Sequence, residues 1–240
     1  MISSPRAETV TAVSTGRPAR ALLSWSSGKD AAWALHNVLA AGQVEVVGLL
    51  TTVNEINARV AMHGVRRVLL ATQASAVGLP LYVVSLPWPC SNEVYETCLR
   101  ESLSDLRDRL NLSHMIFGDL FLSEIRNYRE KQMAALNLEP LFPLWGRATH
   151  TLACEMIDAG MQATIVCTDV EQIPASFCGQ PFDAGFLEKK PASVDACGEN
   201  GEFHTLVHDG PMFKQSMGVV KGRQHTDGQF VFTDLKPARE

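Results

Sequence analysis

The chain has 240 residues, 46% of them apolar and 20% charged, an ordinary globular composition with room for one large domain, or for one domain and an appendage. A net charge of −5 and a pI near 5.8 argue against a protein that holds nucleic acid through its general field. No run approaches the roughly 18 apolar residues of a membrane span, and the six cysteines form no Cys-x-x-Cys pair. They read as reduced thiols in a cytoplasmic protein, several of them acting as small hydrophobes.

Residues 1–19 lack the apolar centre of a signal peptide and read as a disordered lead. From residue 20 to about 170, short β-type runs alternate with helical periods, the signature of a parallel sheet with crossover helices. In chain order, the strands are predicted at Arg20–Trp25, Glu45–Thr52, Leu81–Leu86, His114–Gly118 and Gln162–Thr168, and the helices at Gly28–Ala41, Gly64–Gly78, Asn92–Leu110, Ser123–Leu136 and Thr149–Ala159. Gly42, Gly78 and Gly160 sit where helices commonly end. The charges of the third helix read as a solvated face with no chemistry. Residues 171–240 change rhythm: Gly and Pro become frequent, and short β-like pieces appear at Phe203–Val207 and Phe230–Thr233. The expectation is an α/β protein, a parallel five-stranded sheet with helices on both faces at 20–170, and a smaller region at 171–240 that lends loops to one site.

Ligands of open α/β sheets sit at the carboxyl ends of the strands. The first strand ends there in Ser24-Trp25-Ser26-Ser27-Gly28-Lys29-Asp30. Small residues can turn tightly and present backbone N–H groups, the following helix adds its positive end, and Lys29 adds a full charge. Plain helix capping would use similar residues. A Walker A loop is excluded, because its first glycine would fall at Leu23 and the residue after Lys29 is Asp30. Further candidates follow the other strands. They are Leu50 and Thr51, then His63 in Met62–Val65, and Gly118-Asp119 with Arg126 and Arg129, which lie three apart and share a helix face. Those arginines suit either phosphate or surface ion pairs. Asp119 is a candidate partner for magnesium or a ribose. Leu141–Trp145 reads as a packing turn. The run Asp195-Ala196-Cys197-Gly198-Glu199-Asn200-Gly201-Glu202-Phe203-His204-Thr205 contains an Asn-Gly turn signal, yet a hairpin needs no such crowd of polar side chains.

Taken together, the loop at Ser26–Asp30, Met62–Val65, Gly118-Asp119 with the two arginines, Leu141–Trp145 and above all Cys197–Thr205 resemble the diphthine ammonia ligase family. The resemblance runs in order from about 20 to 235. This family belongs to the PP-loop ATP pyrophosphatases, which share the HUP or adenine nucleotide alpha hydrolase-like fold. Their loop is written Ser-Gly-Gly-Lys-Asp-Ser, so Ser27 replaces its first Gly and Ala31 its last Ser. With that hydroxyl gone, backbone amides and Ser26 or Ser27 would have to compensate. Ser27, Ala31 and Trp25 are closer to the bacterial branch.

The resemblance implies ATP and Mg2+ as cofactors and cleavage between the α and β phosphates. An acceptor oxygen is adenylated, and ammonia then displaces AMP to give an amide. Ser24, Ser26, Ser27, Gly28, Lys29, Asp30, Leu50, Thr51, His63, Gly118, Asp119, Arg126 and Arg129 would hold the nucleotide, with Asp30 and Asp119 towards the metal. Lys29, Glu199, Asn200 and Glu202 would be catalytic, and Glu199, Asn200, Gly201, Glu202, His204 and Thr205 would line the acceptor side. The acceptor is a small molecule or a protein side chain, and a homodimer is left open. Two other readings stand beside this one: tRNA modification through the same adenylation, opposed by the acidic charge and the cysteine spacing, and a nucleotide sensor without catalysis, which Ala31 keeps in play.

Overall fold

In the computed structural model the described residues are 18–56 and 64–238. The first sheet is built from β1 (Ala19–Ser24), β2 (Val44–Asn54), β3 (Leu81–Leu86), β4 (His114–Ile116) and β5 (Glu139–Leu141), in the order β3-β2-β1-β4-β5. Every pairing in it is parallel. Five helices connect or follow these strands: α1 (Lys29–Ala41), α2 (Arg67–Val77), α3 (Asn92–Leu110), α4 (Ser123–Ala134) and α5 (Thr149–Asp158). None of the described helices is long and apolar enough to cross a membrane.

One strand departs from the sequence expectation. The run at 162–168 does form a strand, β6 (Gln162–Asp169), but it joins a second, antiparallel sheet with β7 (Phe203–Asp209), β8 (Val219–Asp227) and β9 (Phe230–Pro237), in the order β7-β6-β9-β8. The fifth parallel strand is instead β5, a three-residue edge strand, which carries Pro140 where an edge tolerates it.

The alternation of β1 sorts its residues between two cores. Leu22 packs with Leu99, Leu103 and Leu106 of α3 and Met133 of α4. Ala21 and Leu23 face α1, α2 and α5, in a cluster that continues into Ile165 of β6 and Phe203, Leu206 and Val207 of β7. Helix α1 is therefore squeezed between the two sheets. That is why Ala31, Ala32 and Ala34 are small while Leu35 and Val38 fill the remaining space. Its end is set by Gly42 at φ 62°, whose N–H returns to the Val38 carbonyl.

The strand order reverses between β1 and β4, each of which leads away from the middle of the sheet. A crevice opens beyond their carboxyl ends, and the second sheet brings its own loops to that crevice.

Candidate active site

The loop after β1 is held by groups far away in sequence. Ser27 is fully buried and stands at φ 77°, a left-handed conformation that costs a side-chain-bearing residue about 1–2 kcal/mol. Its carbonyl accepts hydrogen bonds from the Val207 N–H at 3.0 Å and from Gln73 Nε2 at 3.0 Å. Gln73, itself fully buried on α2, also donates to the Val207 carbonyl at 2.6 Å and accepts from Trp25 Nε1 at 2.9 Å. One carboxamide thus ties together the loop, β7 and the residue that follows β1.

Gly28 caps α1 in an extended conformation, and its N–H donates to Ser26 Oγ at 3.4 Å. The first helical amide, Lys29 N–H, donates to Thr205 Oγ1 of β7 at 3.1 Å. Across the crevice, Gly118 lies so close that a Cβ there would stand 2.8 Å from the Asp30 carbonyl carbon and 2.9 Å from Ala31 N. Any larger residue would push α1 away from β4.

Lys29 is only 2% exposed. Its ammonium donates to Asp30 Oδ2 at 2.8 Å and to the Cys197 carbonyl, and it lies 5.3 Å from the centre of the Phe203 ring. Burial is the largest influence on it and favours the neutral amine, but Asp30, Cys197 and Glu199 outweigh it and hold the pKa above the ordinary lysine value. Burial raises the Asp30 carboxyl, against the pull of Lys29. Its Oδ1 is buried with no hydrogen-bond partner.

The segment 195–202 forms a compact turn whose centre is a pair of carboxylates. Asp195 Oδ2 accepts from the N–H groups of Cys197 at 2.8 Å and Glu199 at 3.3 Å, while Thr149 at the start of α5 donates to its Oδ1 at 2.5 Å. Glu202, buried, accepts from Asp195 N–H and Asn200 N–H, both at 2.9 Å, and from Asn200 Nδ2 at 3.0 Å. Gly198 at φ 69° packs on Phe203, where a Cβ would come within 2.8 Å of the ring and the carbonyl. This scaffold aims Glu199 across the crevice, where its Oε1 accepts from Leu120 N–H at 2.8 Å. Burial first, then Asp30 and Asp119, push its carboxyl up to about 7. Burial and Lys29 bring the His204 imidazole down to about 4, so it is neutral at physiological pH.

These groups enclose a cavity of about 270 Å³ lined by Ser24, Ser26, Gly28, Lys29, Asp30, Gly118, Asp119, Arg129, Glu199, Gly201, His204 and Thr205 among others. It adjoins a second, more apolar space of about 510 Å³, lined by Leu50, Thr51, Tyr95, Leu99, Met115 and Ile125, with Ser24, Ser26, Phe117, Arg129 and His204 shared by both. Arg129 reaches into this junction while donating to Asp119 Oδ2 at 2.8 Å.

Both halves of this arrangement have a counterpart elsewhere. Residues 19–138 match the diphthamide synthase N-terminal domain and residues 148–240 the diphthamide synthase C-terminal domain. The chain belongs to the diphthamide synthase family. Among curated relatives, it is 29% identical to the diphthine–ammonia ligase of Bos taurus over 214 residues, covering 81% of this chain and 80% of the relative. The Homo sapiens diphthine–ammonia ligase is 28% identical over the same shares. That of Schizosaccharomyces pombe is 23% identical over 88% of this chain but 38% of its own length. As a member of this family the chain is an ATP-dependent, amide-forming ligase.

Within this diphthamide synthase fold the expected site residues separate by position. Ser27 lies behind the loop, not on the cavity wall. Asn200 is exposed and Glu202 is spent on bracing the turn, so neither lines the cavity. Arg126 pairs with Glu130 at 2.7 Å and lies against both Phe142 and Trp145, 4.8 and 4.7 Å from their ring centres. The aromatic turn at 142–145 is thus packing for a cation, and Arg126 does not share the wall with Arg129. His63 lies outside the described residues. Sequence reasoning missed Gln73 and did not single out Asp195. A glutamine inside an alanine-rich helix carries no local signal, whereas Asp195, placed to accept from its own following N–H groups, could have been read as a turn former.

Proposed function

We propose that the enzyme adenylates an acceptor oxygen and then aminates it. ATP would be cleaved between its α and β phosphates, with the acceptor oxygen attacking the α phosphorus and pyrophosphate leaving. Ammonia would then add to the activated carbon and expel AMP, giving the amide. The single observation that supports this most is the shared cavity. A buried, charged lysine at a helix N-terminus faces a carboxylate from the other half of the chain across one small space.

In this reading the two spaces divide the nucleotide. The apolar one, with Leu50 and Thr51 in the second half of β2, takes the base, and the polar one takes the phosphates. Lys29 and the positive end of α1 stabilise the charge that develops on departing pyrophosphate. Magnesium is usually held by one or two carboxylates together with substrate phosphates. Asp30, with one buried and unpartnered oxygen, fits that role, whereas Asp119 has its carboxylate engaged by Arg129. When bound, the ion would neutralise phosphate charge.

Glu199 would act on the second half of the reaction. As AMP leaves, the nitrogen that came in as ammonia must lose a proton, and a carboxylate with its pKa near 7 is suited to take it at neutral pH. Gly201 and His204 line the same wall and would hold the acceptor, which carries a carbonyl or carboxylate oxygen on a small molecule or a protein side chain. The relatives' name gives diphthine as one such acceptor.

The test is the identity of the nucleotide product with ATP, magnesium, ammonium and an extract as the acceptor source. AMP and pyrophosphate are expected, and Lys29→Ala should abolish both. ADP with phosphate would overturn the mechanism, and ATP that binds but is never consumed would favour a sensor.

A further inference from the structure

The PP-loop motif that residues 26–31 resemble ends in a serine, and position 31 here is alanine. Ala31 lies on the cavity wall, so the missing hydroxyl is missing where phosphate would lie. Of the two loop serines, Ser27 is turned away and buried, and Ser26, which lines the cavity and accepts the Gly28 N–H at 3.4 Å, stands before the cap of α1 and not beside its first amide. A different hydroxyl stands at the start of α1. Thr205 of β7 is 2% exposed, lines the same cavity as Gly28, Lys29 and Ala31, and accepts the Lys29 N–H.

We propose that the Thr205 hydroxyl supplies, from the second sheet, the phosphate donor that Ala31 cannot. This rests on the ligase reading above and moves Thr205 from the acceptor side of the cavity to the nucleotide side. A threonine hydroxyl has one proton to give. Because Oγ1 is already an acceptor, that proton is free for another group, and among the described residues none takes it. Two effects sharpen it as a donor to an anion: accepting an N–H polarises the hydroxyl, and the positive end of α1 favours negative charge at that point. The chain Lys29 N–H to Thr205 Oγ1 to phosphate oxygen would carry the helix's positive end one atom further into the cavity.

The alternative is that Thr205 merely caps α1 from outside. The experiment measures the affinity of the full-length protein for inorganic pyrophosphate with magnesium, and for adenosine, alongside melting temperature. The variants are Thr205→Val, Thr205→Ser, Ala31→Ser and the double variant Thr205→Val with Ala31→Ser. Thr205→Val should weaken pyrophosphate binding about ten-fold or more, as loss of a hydrogen bond to a charged group does, and leave adenosine unchanged. Thr205→Ser should stay within about two-fold of wild type, and adding Ala31→Ser to Thr205→Val should recover most of the loss. If the valine variant does not fold, Thr205→Ala with and without Ala31→Ser gives the same comparison.

Pyrophosphate affinity unmoved by Thr205→Val, or lost together with adenosine affinity and not restored by Ala31→Ser, would overturn the proposal and leave a cap. A wild-type protein that binds neither ATP nor pyrophosphate would instead remove the ligase reading, and this inference with it.

Discussion

Two residues concentrate the cost and the chemistry of the site. Ser27 holds a left-handed backbone with a side chain attached, and its hydroxyl is buried without a partner. Ser27→Gly should therefore stabilise the protein by about 1 kcal/mol, relief of backbone strain exceeding the extra entropy of an unfolded glycine. Thermal melts would show it, and an unchanged or lower melting temperature would mean that the strain is not there. In the proposed mechanism Glu199 sets the pH dependence. Its carboxyl is raised from the ordinary value to about 7, and only the carboxylate can accept a proton. Turnover should rise as pH climbs through about 7, and Glu199→Gln should lose about 100-fold in kcat, flatten that rise and keep ATP affinity. A variant with the wild-type profile would take Glu199 out of the mechanism. Stability runs the other way. A raised carboxyl pKa favours the protonated fold, so the contribution is full below the ordinary carboxyl value of 4.5 and is lost as pH rises through about 7.

At the scale of elements, the strand–loop–helix unit of β1 and α1 was legible because its hydrophobic period switches from 2 to 3.6 across a run of small residues. The turn at 195–205 was legible as a cluster of polar types, but not in its directions. Glu199 points into the crevice and Glu202 away from it, three residues later, because Gly198 and Gly201 adopt positive φ. Strand β6 was assigned to the wrong sheet for a physical reason. It is buried over nearly its whole length, and a strand covered on both faces reads as one apolar run whether its neighbours are parallel or antiparallel. Gln73 was invisible, since its three partners come from two segments distant from it in sequence, the loop at 25–27 and β7. Gln73→Leu would strand Trp25 Nε1 and the Val207 carbonyl in the core and leave the Ser27 carbonyl with one donor in place of two. It should cost about 3 kcal/mol or more in chemical unfolding and weaken ATP binding through the displaced loop. A loss of stability with full ATP affinity would show that the bracket supports the fold without positioning the loop.

The whole molecule is joined by one apolar cluster that spans both sheets. Urea unfolding followed by far-UV circular dichroism and by hydrodynamic radius should therefore give coincident single transitions. Two separated steps would mean that the halves fold as independent units. The same joint has a temporal side. Lys29 finds its carbonyl partner at Cys197, 168 residues on, and its amide finds Thr205, 176 residues on. On the ribosome, at roughly 5–20 residues per second, the lysine that would grip a nucleotide waits many seconds for the segment that encloses it. A nascent chain carries the loop at 26–30 long before it carries the cage, so the proposed nucleotide site is among the last features of this enzyme to exist.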